Sequence, residues 1–235
     1  MDLQGKVAYI TGGTKGIGFG IAKILLSAGM KIAISGRNEA DAIQAAKALS
    51  DDESKVLGLG SNVKNIQDEI AAVEKIKAHF GRLDVVVANA GLGHFKPVDE
   101  LSVEEWQEMI DTNLSGVFYT LKASVEALKQ SQGYFISISS LAGINFFEKG
   151  AGYNASKFGV VGFTQAAMLD LRKYNIKVTT IMPGSVASHF DQHQPSEEDH
   201  WKIQPEDIGQ VVLDLLKLNP RTLPSKIELR PTLPK

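Results

Sequence analysis

The feature that most constrains this chain is an alternation of two hydrophobic periods. Short runs rich in β-branched and other apolar residues, at 6–10, 31–35, 55–59, 83–88, 134–139 and 176–182, read as strands. Helical spacing of apolar residues occupies 17–28, 39–49, 66–80 and 153–173, and a longer helical region fills 103–129. A strand, a helix and another strand in succession require a crossover, and repeated crossovers require a parallel sheet. The fixed hand of such crossovers places helices on both faces. The reading is α/β: a doubly wound parallel sheet in one domain spanning 1–235, with no repeat, low-complexity tract or linker to divide it. A chain of 235 residues is long enough to bury one full core.

The first strand runs straight into Thr11-Gly12-Gly13-Thr14-Lys15-Gly16-Ile17-Gly18, and the first helical pattern begins inside that stretch. A strand, a glycine-rich turn and a helix make a phosphate cradle. Small residues let the backbone approach a pyrophosphate, which sits at the positive end of the helix. The expectation is a Rossmann-type sheet. The glycine spacing is not G-x-G-x-x-G, and no Gly-Lys-Ser/Thr ending follows, which disfavours a triphosphate-binding P-loop. Asn89-Ala90-Gly91 closes the fourth strand, at the carboxyl edge where doubly wound sheets bind ligands. The second strand ends Ile34-Ser35-Gly36-Arg37, where a carboxylate would read a ribose 2′-hydroxyl. Two cations, Arg37 and Lys15, stand there instead, with no acid before Glu39. Arginine grips a 2′-phosphate with paired hydrogen bonds, so the composition suits that group.

Further along, Ser102 and Glu105 form a capping box, opening a helix expected to run to about 112 before a second helix continues to 129. Asn113 lies inside this region, where an asparagine competes for backbone hydrogen bonds. After the strand at 134–139 an irregular loop leads to Gly152-Tyr153-Asn154-Ala155-Ser156-Lys157, the opening of a long helix. Tyr153 and Lys157 stand one turn apart on one face. The ammonium is expected to favour the phenolate and lower the tyrosine pKa from about 10. A tyrosine so placed gives and takes protons near neutral pH. The sixth strand ends in Pro183-Gly184, residues 185–204 read as a polar loop or lid, Pro205 opens a helix to about 218, and 226–229 forms a short last strand.

Taken in order, Thr11-Gly12-x-x-x-Gly16-x-Gly18, Asn89-Ala90-Gly91, Asn113, Ser140, Tyr153-x-x-x-Lys157 and Pro183-Gly184 resemble a classical short-chain dehydrogenase/reductase, over essentially the whole chain. The resemblance implies Asn113, Ser140, Tyr153 and Lys157 as the catalytic set. Ser140 is taken over Ser139 because it lies thirteen residues before the tyrosine, the family spacing. The resemblance also implies a dinucleotide held by Gly12, Thr14, Lys15, Gly16, Ile17, Gly18, Arg37, Asn62 and Val63. Asn89, Ala90, Gly91, Tyr153, Lys157, Pro183, Gly184, Val186 and Ser188 complete that set. Relatives that prefer NAD carry aspartate at the position of Gly36, so NADP(H) is the cofactor expected. By the same resemblance Ser140 and Tyr153 act on the substrate oxygen, Lys157 also binds the nicotinamide ribose, and Asn113 holds a relay water.

The implied activity is NADP(H)-dependent interconversion of a carbonyl and a secondary alcohol. The alternative on the same fold is a catalytically silent dinucleotide-binding regulator, which would be expected to lack Ser140, Tyr153 or Lys157. Four departures stand out: Asn62 for the usual aspartate, Ala88 for the first Asn of Asn-Asn-Ala-Gly, Ser188 for threonine, and a different C-terminal ending from Lys226 onward. The last bears on assembly, because family members pack subunits through the final strand. They also pair through helices matching 103–129 and 153–173, so a homodimer or homotetramer is expected, with Phe118, Leu121, Phe163 and Met168 as contacts. Leu92, His94, Phe147, His189 and Phe190 follow the motifs and are expected to line the substrate pocket.

Composition excludes several other classes. A net charge of −2 gives no pull toward nucleic acid or an anionic membrane. With no cysteine there is neither a disulfide nor a thiolate nucleophile. No Gly-x-Ser-x-Gly marks a hydrolase. His189, His193 and His200, with Asp191, raise a metal site, but in so polar a loop solvated histidines are the expectation, and no metal is assigned. With no apolar signal core or membrane span in view, a cytoplasmic protein acting on a small molecule is expected.

Overall fold

The computed structural model describes residues 3–190 and 193–233. The chain alternates β1 (Val7–Thr11), α1 (Gly16–Ser27), β2 (Lys31–Gly36), α2 (Glu39–Leu49), β3 (Val56–Gly60), α3 (Ile66–Phe80) and β4 (Val85–Ala88). It continues through α4 (Val103–Ile110), α5 (Gly116–Ser131), β5 (Tyr134–Ile138), α6 (Ala151–Leu171), β6 (Lys177–Pro183), α7 (Pro205–Lys217) and β7 (Lys226–Leu229). The strands form one parallel sheet in the order β3-β2-β1-β4-β5-β6-β7. Pairing of β1 with β4 reverses the direction of winding, and a crevice opens beyond the carboxyl ends of these two strands. None of the described helices is long and apolar enough to cross a membrane.

Alternation along each strand divides the core. Ala8 and Ile10 of β1 join Ile32, Ile34, Val85 and Val87 under α1 and α7, whereas Val7 and Tyr9 join Val86 and Phe135 under α3, α5 and α6. Between α4 and α5 the expected break between two helices is a single π-helical turn, Asp111–Ser115, with Gly116 N–H reaching back to the Asp111 carbonyl. Such turns occur often at functional sites, and this one carries Asn113, fully buried.

One buried acid has no counterpart in the sequence reading. Glu69 is wholly inside, where its Oε1 accepts from the Ser61 hydroxyl at 2.6 Å and from Tyr9 at 3.1 Å. Its Oε2 makes no hydrogen bond of ordinary geometry among the described residues, although the Thr120 hydroxyl lies close enough to favour the charged form. Burial raises the Glu69 pKa above the ordinary carboxylate value. A group with a raised folded pKa stabilises the fold at low pH, and that contribution is lost as pH rises through the folded value. Glu69→Gln keeps an acceptor for both hydroxyls and stays neutral. It is therefore expected to raise Tm by about 2–4 °C at pH 8, the effect of about 1 kcal/mol in a domain of this size. The gain should vanish near pH 4, as measured by thermal unfolding at both pH values. Equal or lower Tm for the variant at pH 8 would contradict this account.

Candidate active site

At the end of β1 the backbone turns through left-handed conformations at Gly12 (φ 63°) and Gly16 (φ 57°), which glycine adopts without strain. A Cβ on Gly12 would lie 2.9 Å from the Ala90 Cα, and one on Gly18 would lie 2.6 Å from the Gly12 carbonyl oxygen. The Asn89 amide donates to the carbonyls of Thr11 and Gly12, both at 3.0 Å, and the Thr11 hydroxyl accepts from the Asn89 and Ala90 N–H groups. Asn89 thus fastens the end of β4 to the glycine turn. No side chain caps the start of α1, and its first turn carries no acid, so its leading N–H groups are left for an anion.

These elements border a cleft of about 290 Å³ that runs from Gly36 and Arg37 past the glycine turn to Tyr153 and Lys157. Gly12, Thr14, Lys15, Gly16, Ile17, Asn62, Val63, Asn89, Ala90 and Gly91 all line it. Gly18 lies behind the turn instead, buried against Asn89, and acts by letting α1 approach. Lys64 was not anticipated; its only sequence signal is its place after Asn62-Val63 at the carboxyl end of β3. The cleft walls carry Lys15, Arg37, Lys64 and Lys157 and, among the described residues, no aspartate or glutamate. A close-approach turn, an open helix N-terminus and several lining cations fit a phosphate-bearing dinucleotide.

At the far end Ser139 and Ser140 part ways. The Ser139 hydroxyl is buried and donates to the Lys157 carbonyl at 3.1 Å, which spends it on α6. The Ser140 Oγ accepts from the Ala142 N–H at 3.1 Å, keeps its proton, and lies within hydrogen-bonding reach of the Tyr153 phenol. The Lys157 Nζ is buried, donates to the Ile138 carbonyl at 3.1 Å, and lies 5.6 Å from the Tyr153 ring centroid. The Asn113 side chain accepts from the Leu92 N–H at 2.9 Å and donates to the Leu92 carbonyl and the Ser156 hydroxyl. It ties the loop after β4 to α6, directly beside Lys157.

The electrostatics correct one expectation. Tyr153 is not tuned downward: burial pushes its pKa up to about 12, offset in part by the Ser140 hydrogen bond. Burial also lowers Lys157, to about 8. The ammonium therefore loses its proton before the phenol does, and no cation remains to favour the phenolate when Tyr153 finally titrates. Without a ligand, the pair is a neutral phenol beside an amine that titrates near physiological pH.

Beyond Tyr153 the cleft widens into a second cavity of about 600 Å³, bordered by Ser140, Pro183, Gly184, Val186 and Ser188 among others. Phe147 and Phe190 line it, and Leu92, His189 and Phe190 line the narrower cleft. His94 lines neither; it pairs with Glu108 at 3.0 Å. Its neighbour Phe95 also lines neither cavity, but packs edge-on to Tyr153 with centroids 5.3 Å apart. The 185–204 segment is organised around Asp199, which accepts from Lys202 at 2.6 Å and His193 at 2.5 Å and is held far below the usual carboxylate range by them. His200 bonds the Glu197 carbonyl, so the histidines are drawn apart; Asp191 lies outside the described residues. No cluster of three metal-ligating side chains forms among the described residues.

Comparison with known proteins agrees with this geometry. The family model for short chain dehydrogenase matches residues 6–199. An uncharacterized oxidoreductase of Staphylococcus saprophyticus is 33% identical over 98% of this chain and 99% of its own length. One from Staphylococcus aureus is 34% identical over 97% and 98%. Among solved structures, an alcohol dehydrogenase of the archaeon Thermococcus sibiricus, complexed with 5-hydroxy-NADP, superimposes with a TM-score of 0.91 at 31% identity, covering 98% of both chains. A metagenomic short-chain oxidoreductase in complex with NADP gives a TM-score of 0.85 at 30% identity over the full length of both.

Proposed function

This chain belongs to the short-chain dehydrogenase family and is an oxidoreductase of that family, and from that premise we propose that it interconverts a carbonyl and a secondary alcohol with NADP(H). The observation that carries the reading is the convergence of Ser140, Tyr153 and Lys157 at the junction of a cationic, glycine-floored cleft and a wider cavity. Two similar structures hold NADP or its hydroxylated form.

The dinucleotide, when bound, supplies or accepts the hydride at the substrate carbon. The glycine turn, Asn62, Val63 and the Asn89–Gly91 turn would hold its adenosine and phosphates, with Pro183, Gly184, Val186 and Ser188 beside the nicotinamide. The chain's own residues do the rest. Ser140 keeps its proton and donates a hydrogen bond to the carbonyl oxygen, stabilising the negative charge that develops there. Tyr153 transfers its phenolic proton to that oxygen, and takes it back in the reverse direction. The resulting phenolate is a stronger base than the Lys157 amine, so a protonated Lys157 is the adjacent proton reserve and, while charged, stabilises the phenolate. Asn113 acts by fixing Lys157's surroundings and the Leu92 loop that closes over them.

Incubating the protein with NADPH and a panel of ketones, aldehydes and 3-oxoacyl thioesters tests the reading by following NADPH oxidation. NADPH binding with no turnover across the panel, in either direction, would favour the silent-regulator reading instead.

Family members are commonly oligomeric. A homodimer through α4, α5 and α6 is supported by Val103, Trp106, Phe118, Phe158 and Leu169, exposed apolar residues on those helices. Phe118 packs edge-on to Phe163 at that surface. Leu121 and Met168 do not belong to it; both are buried against the sheet, because their positions on α5 and α6 fall on the inner face. Light scattering is expected to give at least twice the chain mass. A single species near 25.4 kDa at micromolar concentration would overturn the dimer.

A further inference from the structure

The wider cavity has two unlike walls, and their chemistry bears on the substrate. One wall is aromatic. Phe147 and Phe190 line it, the Phe190 centroid 5.6 Å from that of Tyr153, and Phe95 packs against them, 5.8 Å from Phe147, 6.2 Å from Phe190 and 5.3 Å from Tyr153. The backbone makes room for these rings: a Cβ on Gly93 would come within 2.8 Å of Phe95 and 2.9 Å of Phe190, and one on Gly150 within 2.7 Å of Phe147. Flat apolar faces beside the proton donor suit a ring or a compact apolar body next to the reacting carbonyl.

The other wall is basic. Arg230, Lys202 and His193 line the cavity, and among the described residues no aspartate or glutamate does. Lys202 and His193 share the Asp199 carboxylate behind them. Among the described residues Arg230 has one ion pair, an exposed contact with Glu228 at 3.3 Å, which water screens heavily. Its place follows from the sheet: β7 pairs in parallel with β6 as far as Pro183 opposite Leu229, and the Gly184 N–H bonds the Leu229 carbonyl at 2.8 Å. The next residue, Arg230, therefore emerges at the carboxyl edge beside Pro183-Gly184. The C-terminal ending that departs from the family pattern is what delivers this guanidinium.

Building on the reductase reading above, we propose that the substrate is a carbonyl compound with a ring-sized apolar body and a carboxylate at its far end. Phe147 and Phe190, braced by Phe95 behind them, hold the body, and Arg230, backed by Lys202, grips the anion. Arginine matches a carboxylate with two parallel hydrogen bonds, and burying one side of that pair in the cavity strengthens it.

The test uses 4-formylbenzoate and its methyl ester with the full-length protein and NADPH. The ester is the more electrophilic aldehyde, so a preference for the acid reports recognition rather than reactivity. The wild type is expected to favour the acid about tenfold in kcat/KM, and Arg230→Gln to erase that preference. Calorimetry with 4-(hydroxymethyl)benzoate should show about tenfold weaker binding to Arg230→Gln, whether or not turnover is seen. A wild type that favours the ester, or a variant that binds the hydroxymethyl acid as tightly as wild type, would overturn the proposal. NADPH affinity, followed by fluorescence titration, separates the other source of negative charge. If Arg230→Gln weakens NADPH rather than the acid, the guanidinium serves the dinucleotide phosphates and the proposal fails. Turnover of the ester with no preference for the acid refutes this inference alone; no turnover of any carbonyl refutes the reductase reading.

Discussion

Tyr153→Phe is expected to lower kcat by about 10²–10⁴-fold while leaving fold and NADPH affinity nearly intact. The change removes one oxygen and its proton from a side chain whose ring is packed by Phe95 and Phe190, and phenylalanine keeps that packing. The lost hydroxyl leaves Ser140 still bonded to the Ala142 N–H. Single-turnover kinetics should show the loss in the chemical step, and more than about a tenth of wild-type kcat would remove Tyr153 from the role of acid. The pH profile separates the pair. With Tyr153 held near 12 and Lys157 near 8 in the free enzyme, the phenol stays protonated across the working range while the lysine titrates. The charge on Lys157 is present below about 8 and lost above it, so kcat/KM for reduction should fall on the alkaline side of that value. A profile flat to pH 10 would show that the Lys157 charge contributes nothing to the step.

The wild type is expected to prefer NADPH over NADH by at least about tenfold in kcat/KM, a difference of about 1.4 kcal/mol, and Gly36→Asp with Arg37→Ala to weaken or reverse that preference. Lys15 and Arg37 line the same cleft as Gly36, both are exposed, and neither forms an ion pair among the described residues. Each is therefore available to a 2′-phosphate. An aspartate at 36 would repel that phosphate and accept from a 2′-hydroxyl. Its Cβ would come within 2.7 Å of the Thr14 methyl, a contact that a turn of the threonine side chain relieves. Arg37→Ala alone disturbs no packing and should cut the NADPH preference by itself. Equal use of the two dinucleotides by the wild type would sink the 2′-phosphate assignment and leave the proton chemistry untouched.

Much of the fold was legible in the sequence because its signals act over a few residues. The helices at 39–49 and 66–80 match their expected limits to the residue. Asn38 and Asn65 cap their starts, accepting from Ala40 and Gln67 N–H groups, and Gly81 ends the second in a left-handed turn. The capping box of Ser102 and Glu105 forms as read, each with its partner at 3.1 Å. The alternation of periods likewise determined the parallel, doubly wound sheet, since crossovers leave no other arrangement. The spacing of thirteen residues before Tyr153 pointed to Ser140, and what the two serines do locally could be seen only in the fold, where the Ser139 hydroxyl donates to the Lys157 carbonyl.

Tertiary structure alone decided what depends on neighbours distant in the chain. Leu121 and Met168 lie on helices whose moderate amphipathicity left both faces plausible, and packing on the sheet turned them inward. The charge states of Tyr153 and Lys157 depend on how much water the surrounding loops exclude, and that burial reverses the shift the bare i, i+4 pair implies. Lys64 and Arg230 carry no local motif; they border the site because β3 and β7 both end at the same edge of the sheet. Caps and periodicity are short-range and survive in one dimension, whereas desolvation and the facing of cavity walls exist only once strands far apart in sequence have been brought side by side.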